Sequence, residues 1–194
     1  MRVLIACEFS GIVRDAFAAR GHDAWSCDLL PTERPGNHIQ GNLFEHLQKR
    51  WDMMIFHWPC TLLCNSGVRW LYGGKGLERD STRWMDMMDS ACSFRRILDC
   101  NIPKIAGENP IPHRYAKEIM GDYTQVIQPW QFGHGETKAT CLWLRGLPPL
   151  RPTNVVSGRT PRVHHASPGP NRWKERSRTY RGIADAMAEQ WGTL

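Results

Sequence analysis

The stretch MMIFHWPC, residues 53–60, is the part of the sequence from which the fold can be predicted. Its apolar residues 53–56 predict a short buried strand, and Pro59 ends the strand just before Cys60. A thiol beyond the carboxyl end of such a strand lies where α/β folds usually place their chemistry. Since free cysteine is also a common core residue, Cys60 alone does not establish a site.

Further short apolar stretches alternate with helical patterns along the chain. The predicted strands are residues 2–7, 24–27, 51–57, 104–106, 123–130 and 139–144. The predicted helices are residues 13–20, 43–50, 77–100 and 183–191, with Trp84, Met88, Ala91 and Leu98 as the core stripe of the longest. This alternation predicts a single α/β domain, residues 1–194, with a mostly parallel sheet flanked by helices.

Composition narrows the class of protein. A chain of 194 residues with 41% hydrophobic residues and nine tryptophans is expected to fold into a globule. No apolar run approaches the ~18 residues of a membrane helix, and the N-terminal run is too short for a signal peptide. Seven irregularly spaced cysteines favour a reducing compartment. We therefore expect a soluble, cytoplasmic protein with no membrane partner.

Charge is distributed unevenly along the chain. Residues 1–144 contain 16 basic and 16 acidic residues, whereas residues 145–181 contain nine basic residues and one acid, a net charge of +8. Eight of those nine are arginine, which suits bidentate contacts with phosphate. The segment predicts a nucleic-acid or nucleotide partner.

Several short polar motifs follow the predicted strands. They are Phe9-Ser10-Gly11, Asp28, Pro59-Cys60 and Glu108-Asn109. Because the carboxyl ends of parallel strands meet at one edge of a sheet, these motifs are expected to border one crevice. Backbone N–H groups in the Ser10-Gly11 turn would face an anionic or zwitterionic ligand, and Asp28 would accept bonds from a ribose.

In this order, the motifs resemble those of the cytosine C5-specific DNA methyltransferases, and most closely their short, phage-type members. Phe9, Ser10 and Gly11 resemble the first motif of that family, which lies under S-adenosylmethionine. Asp28 and Asn42 stand where the family contacts the ribose and the adenine of this cofactor. The resemblance implies a Rossmann-like fold of the kind that S-adenosylmethionine-dependent methyltransferases use.

The Pro59-Cys60 and Glu108-Asn109 pairs resemble the family's two catalytic motifs. The resemblance implies that Cys60 adds as a thiolate to C6 of cytosine and that Glu108 bonds N3 and the exocyclic amine. We expect a raised pKa for Glu108 in the loaded site. In duplex DNA the base must first be extruded, and the loop Gly73–Gly76 is placed to close over it.

Residues 132–140 resemble the stretch that ends in Gln-x-Arg-x-Arg in the family, with Lys138 left as one phosphate contact and Thr140 in place of an arginine. Trp58, next to the nucleophile, is expected to narrow the pocket or stack on the base. The target-recognition region is reduced to residues 145–180, a basic segment rich in proline and arginine. Little sequence selectivity follows, because phosphate contacts position a protein without reading bases. The residues expected to contact duplex or single-stranded DNA are Lys138, Arg162, Arg172, Lys174, Arg176 and Arg178.

Two alternatives remain open. One is a nucleic-acid-binding protein that has lost turnover, since Asn42, Glu136 and Thr140 depart from the family pattern. The other is a cytosine methyltransferase that acts on a free deoxycytidine nucleotide or RNA. His57, Cys60 and Cys64, with Cys92 or Cys100, would be the ligands of a zinc site, but they lack the paired spacing of such sites, so no metal is expected.

Overall fold

A computed structural model describes residues 1–73, 78–163, 165 and 167–194. One seven-stranded sheet, in the order β3-β2-β1-β4-β5-β7-β6, runs through the centre of the molecule. Its strands are β1 (Arg2–Ala6), β2 (Asp23–Asp28), β3 (His38–Gln40), β4 (Met53–His57), β5 (Lys104–Pro110), β6 (Gln125–Ile127) and β7 (Thr140–Arg145). The first five strands in this order, β3, β2, β1, β4 and β5, are parallel to one another. Strand β7 is antiparallel to both of its neighbours, β5 and β6. The predicted α/β, Rossmann-like fold is confirmed.

Helices cover both faces of the sheet. They are α1 (Ile12–Ala18), α2 (Ser81–Leu98), α3 (Arg114–Met120), α4 (Arg172–Ser177) and α5 (Arg181–Trp191). One core, on the α2 and α3 side, contains Phe94 and Ala116, and a second core, on the α1 and α5 side, contains Phe17 and Met187. Because both faces are covered, the central strand β4 is apolar and buried from Met53 to Phe56, as is typical of a buried parallel strand, and only His57 at its end is polar.

The register of the central strands positions the polar motifs. Strand β4 pairs with β1 on one side and with β5 on the other, and His57 lies directly opposite Glu108. The strand order reverses between β1 and β4, which is the position in such sheets where ligands usually bind.

Some predicted elements differ from the structure. Residues 43–50 form only a 3-10 turn, Leu43–Glu45, instead of a helix. The longest helix begins at Ser81, because the carboxylate of Asp80 accepts a hydrogen bond from the N–H of Arg83 and caps it; Leu77 lies outside the described residues. Met87 is buried in the core, and Met88, predicted to be buried, is 48% exposed.

Strand β5 is also longer than predicted and includes Glu108 and Asn109, because β7 continues to pair with it as far as Pro110. Residues 146–171 contain no helix or strand among those described, although bridges to residues 132–136 hold them on the domain. No helix in the described parts of the chain is long and apolar enough to cross a membrane.

Candidate active site

A cavity of about 120 Å³ lies at the carboxyl ends of β1, β4 and β5. The loop after α4 forms its other wall. The lining residues are Cys7, Glu8, Phe9, Ser10, His57, Trp58, Pro59, Cys60, Glu108, Pro110, Lys138, Arg176, Ser177, Arg178 and Thr179. The structure thus brings three of the four predicted strand-end motifs to one crevice. Asp28, at the end of β2, and Asn42 do not belong to this lining.

An ion pair between His57 and Glu108 forms the floor of the cavity. His57 Nδ1 donates a hydrogen bond to Glu108 Oε2, and the two side chains are only 11 and 13% exposed. Their opposite positions on β4 and β5 explain the contact, because directly opposed residues on neighbouring strands extend to the same face.

This pairing changes the expected protonation of Glu108. Burial opposes its ionisation, but the charge and hydrogen bond of His57, with a further effect of Lys138, bring the pKa of Glu108 below its usual value. Burial likewise opposes the charge on His57, yet Glu108 and, more weakly, Glu8 bring the pKa of His57 above its usual value. These opposite shifts of the two pKa values favour an ionic pair. The raised pKa of Glu108 expected in the loaded site stays a prediction.

One nitrogen of His57 is left without a partner. Its Nε2 is buried and has no hydrogen-bond partner among the described residues. In the protonated imidazole this nitrogen carries a proton, so the buried His57 ring keeps one N–H donor that no described residue accepts from. A buried, unpaired donor of this kind is costly unless a ligand accepts from it.

The Ser10-Gly11 turn differs from the anion site predicted for it. The carboxylate of Glu8 accepts from the backbone N–H groups of Val13 and Arg14, and from the hydroxyl of Ser10. Glu8 therefore occupies the donors at the start of α1 that were expected to face a ligand. Gly11 has a positive φ of 70°, and a Cβ at this position would lie 2.5 Å from Arg14 Nη2, so the tight turn requires glycine.

Cys60 lies at the rim of the cavity and is paired with Cys64. Its thiol donates a hydrogen bond to Cys64, and this bond, together with burial, raises the pKa of Cys60 well above its usual value. The same bond is the main cause that lowers the pKa of Cys64 to about 5. Donors from Ser66 and the N–H of Gly67 act in the same direction, and together they outweigh the opposing effect of burial. The interaction thus favours the thiol form of Cys60 and the thiolate form of Cys64.

Asn109 and Trp58 fix the loop that carries Cys60. Asn109 Nδ2 donates to the carbonyl of Trp58 (3.1 Å), which ties β5 to the Pro59-Cys60 turn. The indole of Trp58 donates to Ser90 Oγ on α2 (3.0 Å) and meets the ring of Phe44 edge-on. Trp58 is thus already packed on both sides, and it anchors the loop instead of standing free to stack on a base.

Asp28 and Asn42 border the neighbouring ends of β2 and β3. Asp28 Oδ1 accepts a hydrogen bond from the N–H of Leu30 (2.9 Å), and burial raises the pKa of this carboxyl group. Asn42 is exposed, and its side chain accepts from the N–H of Phe44 at the start of the 3-10 turn. Asp28 therefore keeps acceptor capacity for a hydroxyl group, whereas one lone pair of Asn42 is in use.

Lys138 faces the cavity. Its Nζ donates to the carbonyl of Arg176 (2.9 Å) and acts electrostatically on Cys60 and Glu108. The neighbouring Glu136 is buried and accepts from the N–H of Val163. Lys138 thus connects the predicted phosphate-binding stretch with the cavity.

Part of the predicted DNA-binding set is engaged within the protein. Arg162 pairs with Glu136 (3.4 Å), and Arg178 forms a two-point ion pair with Glu33 (2.7 and 3.1 Å). Arg172, Lys174 and Arg176 lie on or at the short helix α4 and are half-buried. These arginines hold the segment on the domain in the structure, so the segment is less free to contact DNA than its charge predicted.

The zinc alternative gains no support from the geometry. His57 Nδ1 is hydrogen-bonded to Glu108. No group of three His, Cys, Asp or Glu side chains that could hold a metal ion occurs in the described portion of the chain. The predicted loop Gly73–Gly76 lies outside the described residues except for Gly73.

Sequence reasoning missed Glu8, His57 and Cys64 as members of the site. Each had a usable signal: Glu8 directly follows the first buried strand, and His57 follows four buried residues and precedes the Pro-Cys pair. Cys64 lies one helical turn after Cys60, and its N–H donates to the Cys60 carbonyl (3.0 Å). Only the register of β4 against β5 reveals that His57 contacts Glu108.

Comparisons with known proteins give a structural similarity alone. No protein-family model and no curated protein matches the chain. The fold is similar to that of an E. coli protein provisionally described as a DNA modification methyltransferase encoded within a prophage, with 15% sequence identity and a TM-score of 0.43. The match covers 79% of this chain and 51% of that protein, so the chain spans about half of its length. The activity must therefore be argued from the residues themselves.

Proposed function

We propose that this chain transfers a methyl group from S-adenosylmethionine to C5 of cytosine in DNA, with Cys60 as the covalent nucleophile. The observation that supports this most directly is that Cys60 and Glu108 line one cavity at the topological switch point of the sheet. C5 of cytosine is a poor nucleophile, and addition of a thiolate at C6 makes it enamine-like.

Cys60 requires a base, and Cys64 is placed to be that base. As Cys60 Sγ forms its bond to C6, its proton passes to Cys64 Sγ, which already accepts a hydrogen bond from Cys60. When the C5 proton is lost to water, its bonding pair forms the C5–C6 double bond and the C6–Sγ bond breaks. The electron pair of that bond returns to Cys60, which takes its proton back from Cys64. The proton on Cys60 thus keeps the nucleophile neutral until cytosine is bound.

Glu108 and His57 supply the polar contacts for the ring. The Glu108 carboxylate accepts from the exocyclic amine, and the pair carries a proton that can stabilise charge developing at N3. His57 lines the cavity, and its buried Nε2 has no partner among the described residues, so we expect it to supply a further donor when a ligand is bound. Thr140 stands where the family has an arginine. Asn109 acts as a positioning residue, because it holds the Trp58 carbonyl next to Cys60.

The residues at the ends of β1 and β2 fit S-adenosylmethionine. Asp28 has an acceptor oxygen and no cationic partner among the described residues, which suits a ribose diol. Phe9 and Ser10 line the same cavity as Cys60, Gly11 makes the turn behind them, and Asn42 lies at the end of β3. When bound there, S-adenosylmethionine supplies the electrophilic methyl group.

The decisive experiment is mass spectrometry of nucleosides from cells that express the wild type, Cys60→Ala or the exposed-cysteine control Cys92→Ala. We expect 5-methylcytosine to rise with the wild type and the control and to stay at background with Cys60→Ala. In vitro, DNA that contains 5-fluorocytosine should form a covalent adduct with the wild type and with the control alone. Failure of the wild type to raise 5-methylcytosine or to form the adduct would overturn the proposal.

The internal pairing of Arg162 and Arg178 favours one further candidate, methylation of a smaller or single-stranded substrate. Comparing methyl transfer to dCMP, single-stranded DNA, duplex DNA and tRNA separates the candidates. Transfer to dCMP or tRNA with none to either DNA would exclude the DNA proposal. Methylation of many sequence contexts is expected, and a methylome confined to one strict motif of four or more bases would contradict the reduced recognition segment.

A further inference from the structure

Arg69, Arg79 and Arg114 are among the exposed arginines outside the basic segment that make no ion pair in the described structure. None of the three has a carboxylate within 4.0 Å among the described residues. Each guanidinium instead lies over an aromatic ring, at 4.6 Å from the centroid of Trp70, 4.5 Å from Trp84 and 4.4 Å from Tyr115, respectively. We call these six residues the arginine–aromatic surface.

Trp84 and Tyr115, the rings behind Arg79 and Arg114, are fixed in place. Trp84 and Tyr115 meet edge to face with centroids 4.7 Å apart, and the hydroxyl groups of Tyr72 and Tyr115 are 2.7 Å apart. Arg114 Nη2 donates to Tyr115 Oη at 2.5 Å. Because the rings are already ordered, the arginines stacked on them lose less freedom when they bind a ligand.

The surface adjoins the rim of the candidate active site. The 3-10 segment Asn65–Leu71 follows Cys60, and α3 follows Pro110, both cavity residues. The two segments are joined, since Asn65 N–H donates to the carbonyl of Ile111 (3.0 Å) and Cys64 bridges to Pro112. A ligand that extends from the cavity across this edge would meet the surface.

Charge and exposure indicate the chemistry of that ligand. Trp70 is 55% exposed, so its ring is open to solvent. The acids of the same segments, Glu78, Asp80 and Glu118, are exposed and pair with none of the three arginines. Arginine guanidinium groups beside an exposed indole combine donors for phosphate with a platform on which a base can stack.

We propose that the arginine–aromatic surface binds the sugar–phosphate backbone of DNA beside the cavity, with Trp70 stacking on an unpaired base. The choice of DNA over other nucleic acids rests on the proposed function. The arginine–aromatic surface would then make some of the phosphate contacts that the charge of residues 145–181 predicted for that segment.

The test compares Arg69→Gln/Arg114→Gln with the control Arg50→Gln/Arg151→Gln, which removes two exposed arginines that make no ion pair in the described structure. Binding to a labelled DNA duplex is measured by fluorescence anisotropy over a salt series. The slope of log K against log[salt] is expected to become less negative by about 1.8 in the first variant, about 0.9 for each lost phosphate contact, and to stay unchanged in the control. Trp70→Ala is expected to weaken binding to single-stranded DNA by about 5- to 150-fold.

Each outcome decides the question. If the first variant keeps the wild-type slope, or if both double variants lose the same amount, the surface does not bind DNA, even where the wild type methylates DNA. If 5-methylcytosine never rises but the slope still changes in the first variant alone, the surface stands and the proposed function fails. Binding of an RNA duplex with no binding of DNA overturns the assignment to DNA. Single variants, Arg69→Gln and Arg114→Gln, replace the double variant if its circular dichroism spectrum shows that it is unfolded.

Discussion

The ion pair between His57 and Glu108 gives the most direct test of the site, and His57→Gln is the perturbation. This change leaves the mostly buried Glu108 carboxylate with Lys138 as the remaining cationic group that acts on it. Removing one partner of a buried ion pair typically costs about 3–5 kcal/mol, because the other charge stays buried without compensation. We expect the free energy of unfolding of His57→Gln to fall by about this amount near pH 6.

The pH dependence follows from the directions of the two pKa shifts. The pKa of His57 is raised in the folded protein, so its contribution is complete below about pH 6.5, the usual histidine pKa, and is lost as the pH rises through the folded value. The pKa of Glu108 is lowered, so its contribution is present above about pH 4.3 and is lost as the pH falls through the folded value. The cost of His57→Gln should therefore be largest between about pH 4.5 and 6.5.

Urea unfolding from pH 4 to pH 9 measures this cost. The variants are His57→Gln, Glu108→Gln and the double variant, with the exposed His165→Gln as a control. Both single variants should be less stable than the wild type, and the double variant should recover part of the loss, because two neutral amides leave no buried charge. The reasoning is refuted if the stability difference between His57→Gln and wild type is constant with pH and the two single losses simply add.

Two further predictions concern the thiols and the tight turn. The wild type should show a thiolate step in absorbance at 240 nm near pH 5, because the bond from Cys60 lowers the pKa of Cys64 to about 5; a step that persists in Cys64→Ala would contradict the pairing. Gly11→Ala should lower the free energy of unfolding in urea by more than Gly21→Ala does. Both glycines have positive φ, which costs about 1–2 kcal/mol for alanine, but only at Gly11 would the Cβ also meet Arg14 Nη2 at 2.5 Å. Equal losses in the two variants would show that the Arg14 contact is relieved freely.

Local patterns were sufficient to predict much of the fold. Buried apolar runs and the stripe Ala184, Met187, Ala188 and Trp191 gave the strands and the closing helix, because each element shows its own periodicity in the sequence. Residues 43–50 misled the prediction: their pattern fits a helix, but only Leu43–Glu45 forms a turn. The exposed position of Met88 likewise depends on which face of α2 meets the sheet, and a helical period alone does not specify that face.

The site was predictable where a residue's role follows from its place at a strand end, and unpredictable where it depends on a partner distant in sequence. Cys60 and Glu108 reach one cavity because parallel strands end at one edge. The protonation of Glu108 depends on His57, which is 51 residues away and is identified only by register.

For residues 145–181, the charge of the sequence predicted more contacts with DNA than the pairing of its arginines in the fold leaves available. The sequence gives the number of arginines but not what each one contacts, and electrostatic binding of DNA depends on charges that remain available to phosphate. Arg162, Arg178 and Arg181 are each paired with an acid of this chain, and Arg145 donates to the carbonyls of Cys100 and Ile102. By contrast, no periodic or compositional signal marks Arg69, Arg79 and Arg114, which three separate segments bring to one edge. Net charge along a sequence is therefore a guide to the kind of partner, and the pairing of individual arginines in the fold decides where that partner can bind.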